Sequence, residues 1–232
     1  MSGQTQPPDI LTLHAQTQPD KIAVVEDPPG GGGLSWTFAE LEQQANRLAN
    51  ALRGLGIAPR DKVVWCGLNS PAIVRMMHAA RKLGATAVPL NYRLTAEEAA
   101  YVVDNCDAVL VYVDGAHQAL FAEIRDRLPK VRHVLVYDGA PAHGFADAEA
   151  LVAAASSAEP PRDHAAEAAA TMIYTSGTTG HPKGAVRRAA GDPQAVQLLL
   201  AEIGYQPTDV YLTTGPLYHS GPGGFMALAI AG

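Results

Sequence analysis

Clustered charge and long apolar runs are both missing from this chain. Charged residues make up 17% of its 232 residues, the formal net charge is −6, and no basic run is longer than Arg187-Arg188. A nucleic-acid-binding face needs clustered lysine and arginine, so we expect no nucleic-acid partner. The uncharged stretch 210–232 is interrupted by prolines and glycines and lacks the ~20 continuous apolar residues of a membrane span. We therefore expect no transmembrane segment.

Cysteine is also scarce, with only Cys66 and Cys106 in the sequence. Each lies in or beside an apolar segment, which is typical of small buried side chains in a reducing compartment, although two cysteines can also pair. The first eight residues contain no basic region followed by an apolar core, so no signal peptide is visible. These features, with a hydrophobic content of 47%, predict a compact cytoplasmic protein.

Strands and helices alternate along most of the chain. Apolar runs predict strands at 21–26, 62–68, 85–90, 108–113 and 133–137, with helical periodicity in the segments between most of them. Thr37 with Glu40, and Thr95 with Glu98, have the spacing of capping boxes at helix starts. Such alternation is typical of an α/β protein with largely parallel sheets flanked by helices.

We divide the chain into three parts on this pattern. Residues 1–137 form a first α/β subdomain, and 138–168 form an alanine-rich peripheral connecting segment with one short helix at 147–155. Residues 169–232 begin a second α/β subdomain, with a helix ending at about Ile203 and a strand at 209–214. A glycine- and proline-rich loop follows at 215–224.

The most informative stretch is Tyr174–Gly184, with the sequence Tyr-Thr-Ser-Gly-Thr-Thr-Gly-His-Pro-Lys-Gly. Its six small residues, 175–180, allow backbone N–H groups and hydroxyls to converge on an anion, and Lys183 adds a positive charge. It is not a Walker A loop, because His181 and Pro182 separate Gly180 from Lys183. We place it between two strands as a phosphate-binding loop. On composition alone, a surface turn rich in serine, threonine and glycine fits as well.

These eleven residues resemble the signature phosphate loop of the adenylate-forming (AMP-binding) superfamily. That family includes acyl-CoA synthetases, adenylation domains of peptide synthetases, and luciferases. The resemblance covers nearly the whole chain in order and spacing, and it is weakest in 138–168. Arg187 and Arg188 depart from the family pattern, and we interpret them as a solvated strand end rather than a substrate contact.

The resemblance implies the fold of the first part of the large N-terminal domain of these enzymes, and a ligase that uses ATP, Mg²⁺ and coenzyme A. It implies that a carboxylic acid, which we expect to be a fatty acid, becomes an acyl-adenylate and then an acyl-CoA thioester. Activation of an aryl or amino acid for a carrier protein, or a non-catalytic nucleotide-binding role, remains an alternative. The ATP phosphates would be bound by Thr175, Ser176, Gly177, Thr178, Thr179, Gly180 and Lys183.

The histidine of Pro216-Leu-Tyr-His219 resembles a family residue that borders the acyl pocket. Alone, His219 also fits an ordinary hydrogen-bonded loop histidine. The family segments for adenine, ribose, magnesium and the catalytic lysine are not found in these residues. We therefore expect an N-terminal part of a longer enzyme that is inactive by itself, and we assign no catalytic residue and no metal ligand within it.

Overall fold

The computed structural model describes residues 9–28, 30–161, 170–175, 182–188 and 193–232. The strands are β1 (Ile22–Val25), β2 (Ser35–Thr37), β3 (Lys62–Cys66), β4 (Thr86–Leu90), β5 (Ala108–Asp114), β6 (His133–Tyr137), β7 (Ala146–Asp147), β8 (Ala170–Thr175) and β9 (Lys183–Arg188). The helices are α1 (Ile10–Thr17), α2 (Phe38–Gly54), α3 (Pro71–Lys82), α4 (Ala96–Asn105), α5 (Gln118–Glu123), α6 (Ala148–Ala154), α7 (Pro193–Ile203) and α8 (Ser220–Ala231).

One seven-stranded sheet organises the described part of the chain. Its strand order is β7-β6-β5-β3-β4-β8-β9, and β1 pairs separately with β2. All neighbours in the large sheet are parallel except β9, which runs antiparallel to β8 at one edge. The predicted α/β class with a largely parallel sheet is therefore confirmed.

Both faces of the central strands β3, β4, β5 and β6 are covered, because their side chains alternate between two apolar clusters. Val63 and Trp65 of β3 pack with residues of α2, α3, α6 and α8. Val64 and Cys66 of the same strand pack with residues of α4 and of the α5 region on the opposite face. The uninterrupted apolar runs in the sequence reflect this burial on both sides.

The two predicted capping boxes are present. The Thr37 backbone N–H donates to Glu40 Oε2 at 2.8 Å, and the Glu40 N–H donates to Thr37 Oγ1 at 3.2 Å. In α4 the corresponding distances between Thr95 and Glu98 are 2.9 and 3.3 Å. Each box satisfies backbone donors that a helix start otherwise leaves without partners.

The predicted strand at 209–214 is wrong. Val210 and Leu212 are 93% and 77% exposed, and residues 209–214 belong to none of the strands in the described part of the chain. Extended apolar sequence becomes a strand only when a neighbour completes its hydrogen-bond ladder. Between β5 and β6, α5 ends at Glu123 and a 3-10 helix covers Arg125–Arg127.

The connecting segment and the start of the second predicted subdomain both contribute strands to the large sheet. The short helix predicted at 147–155 is confirmed as α6, and β7 adds the segment to the edge of the sheet beside β6. On the other side β8 pairs with β4 through Thr86↔Ala170 and Ala87↔Thr171. The sheet thus continues across the boundary at 168, and the division at 137 and 168 stays a prediction. Among the described residues, no helix has the length and apolarity needed to cross a bilayer.

Candidate functional site

The candidate site lies at the carboxyl edge, defined as the side of the sheet where β3, β4, β5, β6 and β8 end. These five strands are parallel to one another, so their carboxyl ends all point to this side. Ligands of open α/β sheets bind beyond the carboxyl ends of strands. The sequence-predicted phosphate loop begins there, because Thr175 is the last residue of β8.

The β8–β9 hairpin carries the ends of this loop. Thr175 pairs with Lys183 as the last pair of an antiparallel ladder that starts at Ala170↔Arg188. Both side chains are exposed. The predicted contacts Ser176, Gly177, Thr178, Thr179 and Gly180 lie outside the described residues, as does His181. The structure therefore confirms that the loop connects two strands, while its phosphate contacts stay a prediction.

The charge of the hairpin strands suits an anion. β8 and β9 contain Lys183 and two arginines and no carboxylate. Arg187 is exposed and pairs with Thr171, near the end of the hairpin opposite the loop. Lys183 is therefore the hairpin cation at the loop end, where it can attract a phosphate.

The segment 215–219 lies at the same edge. The Asn69 side chain, which follows β3, donates to the Gly215 carbonyl at 2.9 Å, and its Oδ1 accepts from the Leu217 N–H at 2.8 Å. His219 is exposed and immediately precedes α8. Its ring centroid lies 4.5 Å from that of Tyr218. The structure thus brings the predicted acyl-pocket histidine to the edge that carries the phosphate loop.

A group of aromatic and charged side chains at this edge was not predicted. The Tyr92 ring, just after β4, lies 5.0 Å from the His117 ring and 5.7 Å from the Tyr218 ring. The Arg93 guanidinium lies 4.9 Å from the centre of the Tyr92 ring and donates to the Tyr218 hydroxyl at 3.3 Å. One signal was available in the sequence, since Tyr92 and Arg93 lie two and three residues after the end of a buried strand.

Asp114 holds two parts of this edge together. Its Oδ2 accepts from the Leu68 N–H at 3.0 Å, and its Oδ1 lies 2.6 Å from His117 Nδ1. Gly67 makes the approach possible, because a Cβ at its position would lie 2.6 Å from Asp114 Oδ2 and 2.2 Å from the Tyr137 hydroxyl. Its φ of +152° also favours glycine. Burial raises the pKa of the Tyr137 hydroxyl, which stays neutral and donates to the Cys66 carbonyl at 3.3 Å.

The two cysteines are not nucleophiles in this arrangement. Cys66 and Cys106 are free and buried. Burial raises the pKa of each thiol to about 12, so neither forms a thiolate near neutral pH. No group of three or more histidine, cysteine, aspartate or glutamate side chains within the described ranges has an arrangement that could hold a metal ion.

The sequence is similar to known proteins over most of its length. A family model described as AMP-binding enzyme matches residues 11–232. The 3-oxocholest-4-en-26-oate–CoA ligase of Rhodococcus rhodochrous is 35% identical over 187 residues, which are 78% of this chain and 32% of that protein. The indoleacetate–CoA ligase of Aromatoleum aromaticum is 36% identical over 214 residues, which are 91% of this chain and 40% of that protein. The chain thus spans well under half the length of these relatives.

A solved structure shows the same fold. The inhibitor-bound N-terminal domain of FACL13 from Mycobacterium tuberculosis superposes with a TM-score of 0.78 at 26% sequence identity. The superposition covers 96% of this chain and 54% of that one. The described strands and helices therefore follow the order and packing of a known N-terminal domain.

Proposed function

Because the chain belongs to the AMP-binding enzyme family, we propose that the protein activates a carboxylic acid with ATP and transfers the acyl group to coenzyme A. The observation that carries this proposal is the β8–β9 hairpin. Its last pair, Thr175↔Lys183, stands at the carboxyl edge and flanks the seven-residue loop 176–182, whose first five residues are small. An ATP phosphate chain bound there would face one full positive charge and several hydroxyl donors.

The proposed reaction has two steps. A carboxylate oxygen of the acid attacks the α-phosphorus of ATP, and the bond from that phosphorus to the bridging oxygen breaks. Pyrophosphate leaves with the bonding electron pair and gains negative charge as it does so. The coenzyme A thiolate then attacks the acyl carbon, and AMP leaves as the second product.

Within this scheme the loop acts in the first step. The hydroxyls of Thr175, Ser176, Thr178 and Thr179 donate to β- and γ-phosphate oxygens. Gly177 and Gly180 keep the backbone open to them, and Lys183 stabilises the charge on the leaving pyrophosphate. Donors that meet charge developed in the transition state accelerate the step rather than only tightening binding.

In this proposal magnesium would accompany ATP and has no resident site among the described residues. A divalent cation bound to ATP would neutralise phosphate charge. The described residues offer no cluster of ligands for it, so they do not fit a resident magnesium site. No step above is assigned to the ion.

The relatives support coenzyme A as acceptor and leave the acid open. Both are named as CoA ligases, but for two different carboxylates. We propose a fatty acid as the substrate, as the family resemblance of the sequence led us to expect. His219 is proposed to border the acyl pocket. Cytoplasmic location is also proposed, on the basis that the two buried thiols are unpaired.

The test is ATP–pyrophosphate exchange by the full-length protein with a panel of fatty, aryl and amino acids. We expect exchange that depends on one class of acid, followed by thioester formation when coenzyme A is added. Exchange without transfer to coenzyme A would favour a carrier protein as acceptor. ATP binding with no acid-dependent exchange would overturn the proposal in favour of a non-catalytic nucleotide-binding protein.

A further inference from the structure

The hydrogen bonds of the sheet hold only one end of the β8–β9 hairpin. The ladder that joins β8 to β4 consists of Thr86↔Ala170 and Ala87↔Thr171, at the amino ends of both strands. On its other side β8 pairs along its whole length with β9, which is the edge strand. Backbone pairing with the rest of the sheet is therefore confined to the hairpin base, and the loop end needs another support.

Helix α4 provides contacts at that loop end. The Tyr174 hydroxyl donates to Asn105 Oδ1 at 2.7 Å, and the Tyr101 hydroxyl donates to the Pro182 carbonyl at 3.4 Å. Tyr174 directly precedes Thr175, and Pro182 directly precedes Lys183. One helix thus contacts both sides of the predicted phosphate loop.

The hairpin sequence leaves room for the Tyr174 ring. Tyr174 pairs across the ladder with Gly184. A Cβ on Gly184 would lie 3.1 Å from Tyr174 Cζ and 3.2 Å from its Cε2, which is tighter than ordinary packing. The ring itself packs against the apolar cluster on the α4 face of the sheet. Burial also raises the pKa of the Tyr174 hydroxyl, so it remains a proton donor.

From these contacts we propose that Tyr174 and Asn105 are positioning residues for ATP binding, and that their hydrogen bond fixes the loop end of the hairpin against α4. The proposal rests on the proposed function, because it assigns ATP to the loop. In this proposal neither side chain contacts ATP. Their bond holds Thr175 and Lys183 in the orientation that the phosphates require, which lowers the ordering cost of binding.

The experiment measures ATP binding by calorimetry in the full-length protein and three variants: Tyr174→Phe, Asn105→Ala and the double variant. Each single change removes one side of the same hydrogen bond, so we expect ATP to bind about 3- to 10-fold more weakly in each. The double variant should bind no more weakly than the weaker single variant, because the two changes remove one interaction. Asn105→Asp should bind within about twofold of wild type, since a carboxylate still accepts the bond.

The matched control is Tyr205→Phe. It makes the same chemical change at a hydroxyl that donates to the Ala229 carbonyl of α8 at 3.5 Å, a contact that involves neither the hairpin nor α4, and its ATP affinity should equal that of wild type. A merely structural role for Tyr174 would lower the melting temperature and leave ATP affinity unchanged, and this would overturn the proposal. Additive losses in the double variant would also overturn it. If wild type itself bound no ATP, both this proposal and the assigned function would be wrong, whereas normal wild-type binding with unaffected variants would reject this proposal alone.

Discussion

Lys183 places a positive charge at the loop end of the hairpin, opposite Thr175. We expect Lys183→Ala to slow acid-dependent ATP–pyrophosphate exchange about 10- to 100-fold, because one charge-assisted hydrogen bond of roughly 1.5–3 kcal/mol is lost. Transfer of a preformed acyl-adenylate to coenzyme A should change less, since pyrophosphate has already left. Rapid-quench measurement of the two half-reactions separates these effects.

Lys21→Ala is the matched control for this change. Lys21 directly precedes β1, which pairs with β2 outside the seven-stranded sheet. Loss of charge there should leave exchange near the wild-type rate. Equal effects of both substitutions would mean that only the overall charge of the protein matters, and Lys183 would lose its assigned role.

His219 lies at the same edge, exposed beside Tyr218 and before the first turn of α8. We expect His219→Ala to change the KM for the carboxylic acid more than the KM for ATP, because the residue is proposed to border the acyl pocket. Steady-state kinetics with each substrate varied in turn measure this difference. His133→Ala, at the start of β6 on the opposite edge, serves as the control. A change confined to the KM for ATP would move His219 into the nucleotide site.

At the scale of elements, the start of α4 matters because this helix contacts the hairpin. Thr95→Ala removes the hydroxyl that accepts from the Glu98 N–H, so we expect a loss of about 1 kcal/mol in the free energy of unfolding. Urea denaturation measures this loss. Thr95→Ser retains the hydroxyl and should lose much less, and equal losses for both variants would contradict the capping role.

The same capping box predicts the sign of a pH effect. The Thr95 backbone N–H, and then its hydroxyl, lower the pKa of the Glu98 carboxyl. A carboxyl whose folded-state pKa is lowered stabilises the fold above its unfolded-state pKa, and this stabilisation is lost as pH falls through the folded-state value. The difference in stability between wild type and Glu98→Gln should therefore shrink on acidification.

Local patterns predicted the elements better than the contacts between them. The spacing of Thr95 and Glu98 specifies a helix start within four residues, so sequence alone could identify it. The strand at 209–214 failed because a strand depends on a partner that its own residues do not reveal. For the same reason the bond from Tyr174 to Asn105, 69 residues apart, could not be predicted. The candidate site follows this rule. Thr175 and Lys183 were predicted from a local motif, whereas Asn69, Tyr92 and Asp114 could be identified only from the pairing of the strands in the sheet.

At the scale of the whole molecule, strand order decides which residues meet. The order β5-β3-β4-β8 brings the ends of segments from residues 66 to 175 to one edge. Alternating strands and helices predict a parallel sheet but do not specify which strands are neighbours. The sequence therefore supports the fold class and the loop, and the three-dimensional pairing adds the residues that surround them.

The two cysteines provide a test of this packing as a whole. Cys66 in β3 and Cys106 just after α4 belong to one apolar cluster on the α4 face of the sheet. Burial raises the pKa of each thiol to about 12, and the sulfur atoms are shielded from reagents. We expect no reaction of these two thiols with a disulfide reagent in the native protein between pH 7 and 9, whereas an exposed thiol of ordinary pKa would react faster as pH rises.

Mass spectrometry of labelled peptides distinguishes these two thiols from any others in the full-length protein. Both should become reactive together in denaturant, at the midpoint of the unfolding of the sheet, because one cooperative core protects them. Cys66→Ser and Cys106→Ser identify the signal of each thiol. Labelling of either cysteine without denaturant, or at two separate midpoints, would mean that β3 and α4 do not share one core. Helix α4 would then not be fixed against the sheet, and it could not support the β8–β9 hairpin as proposed.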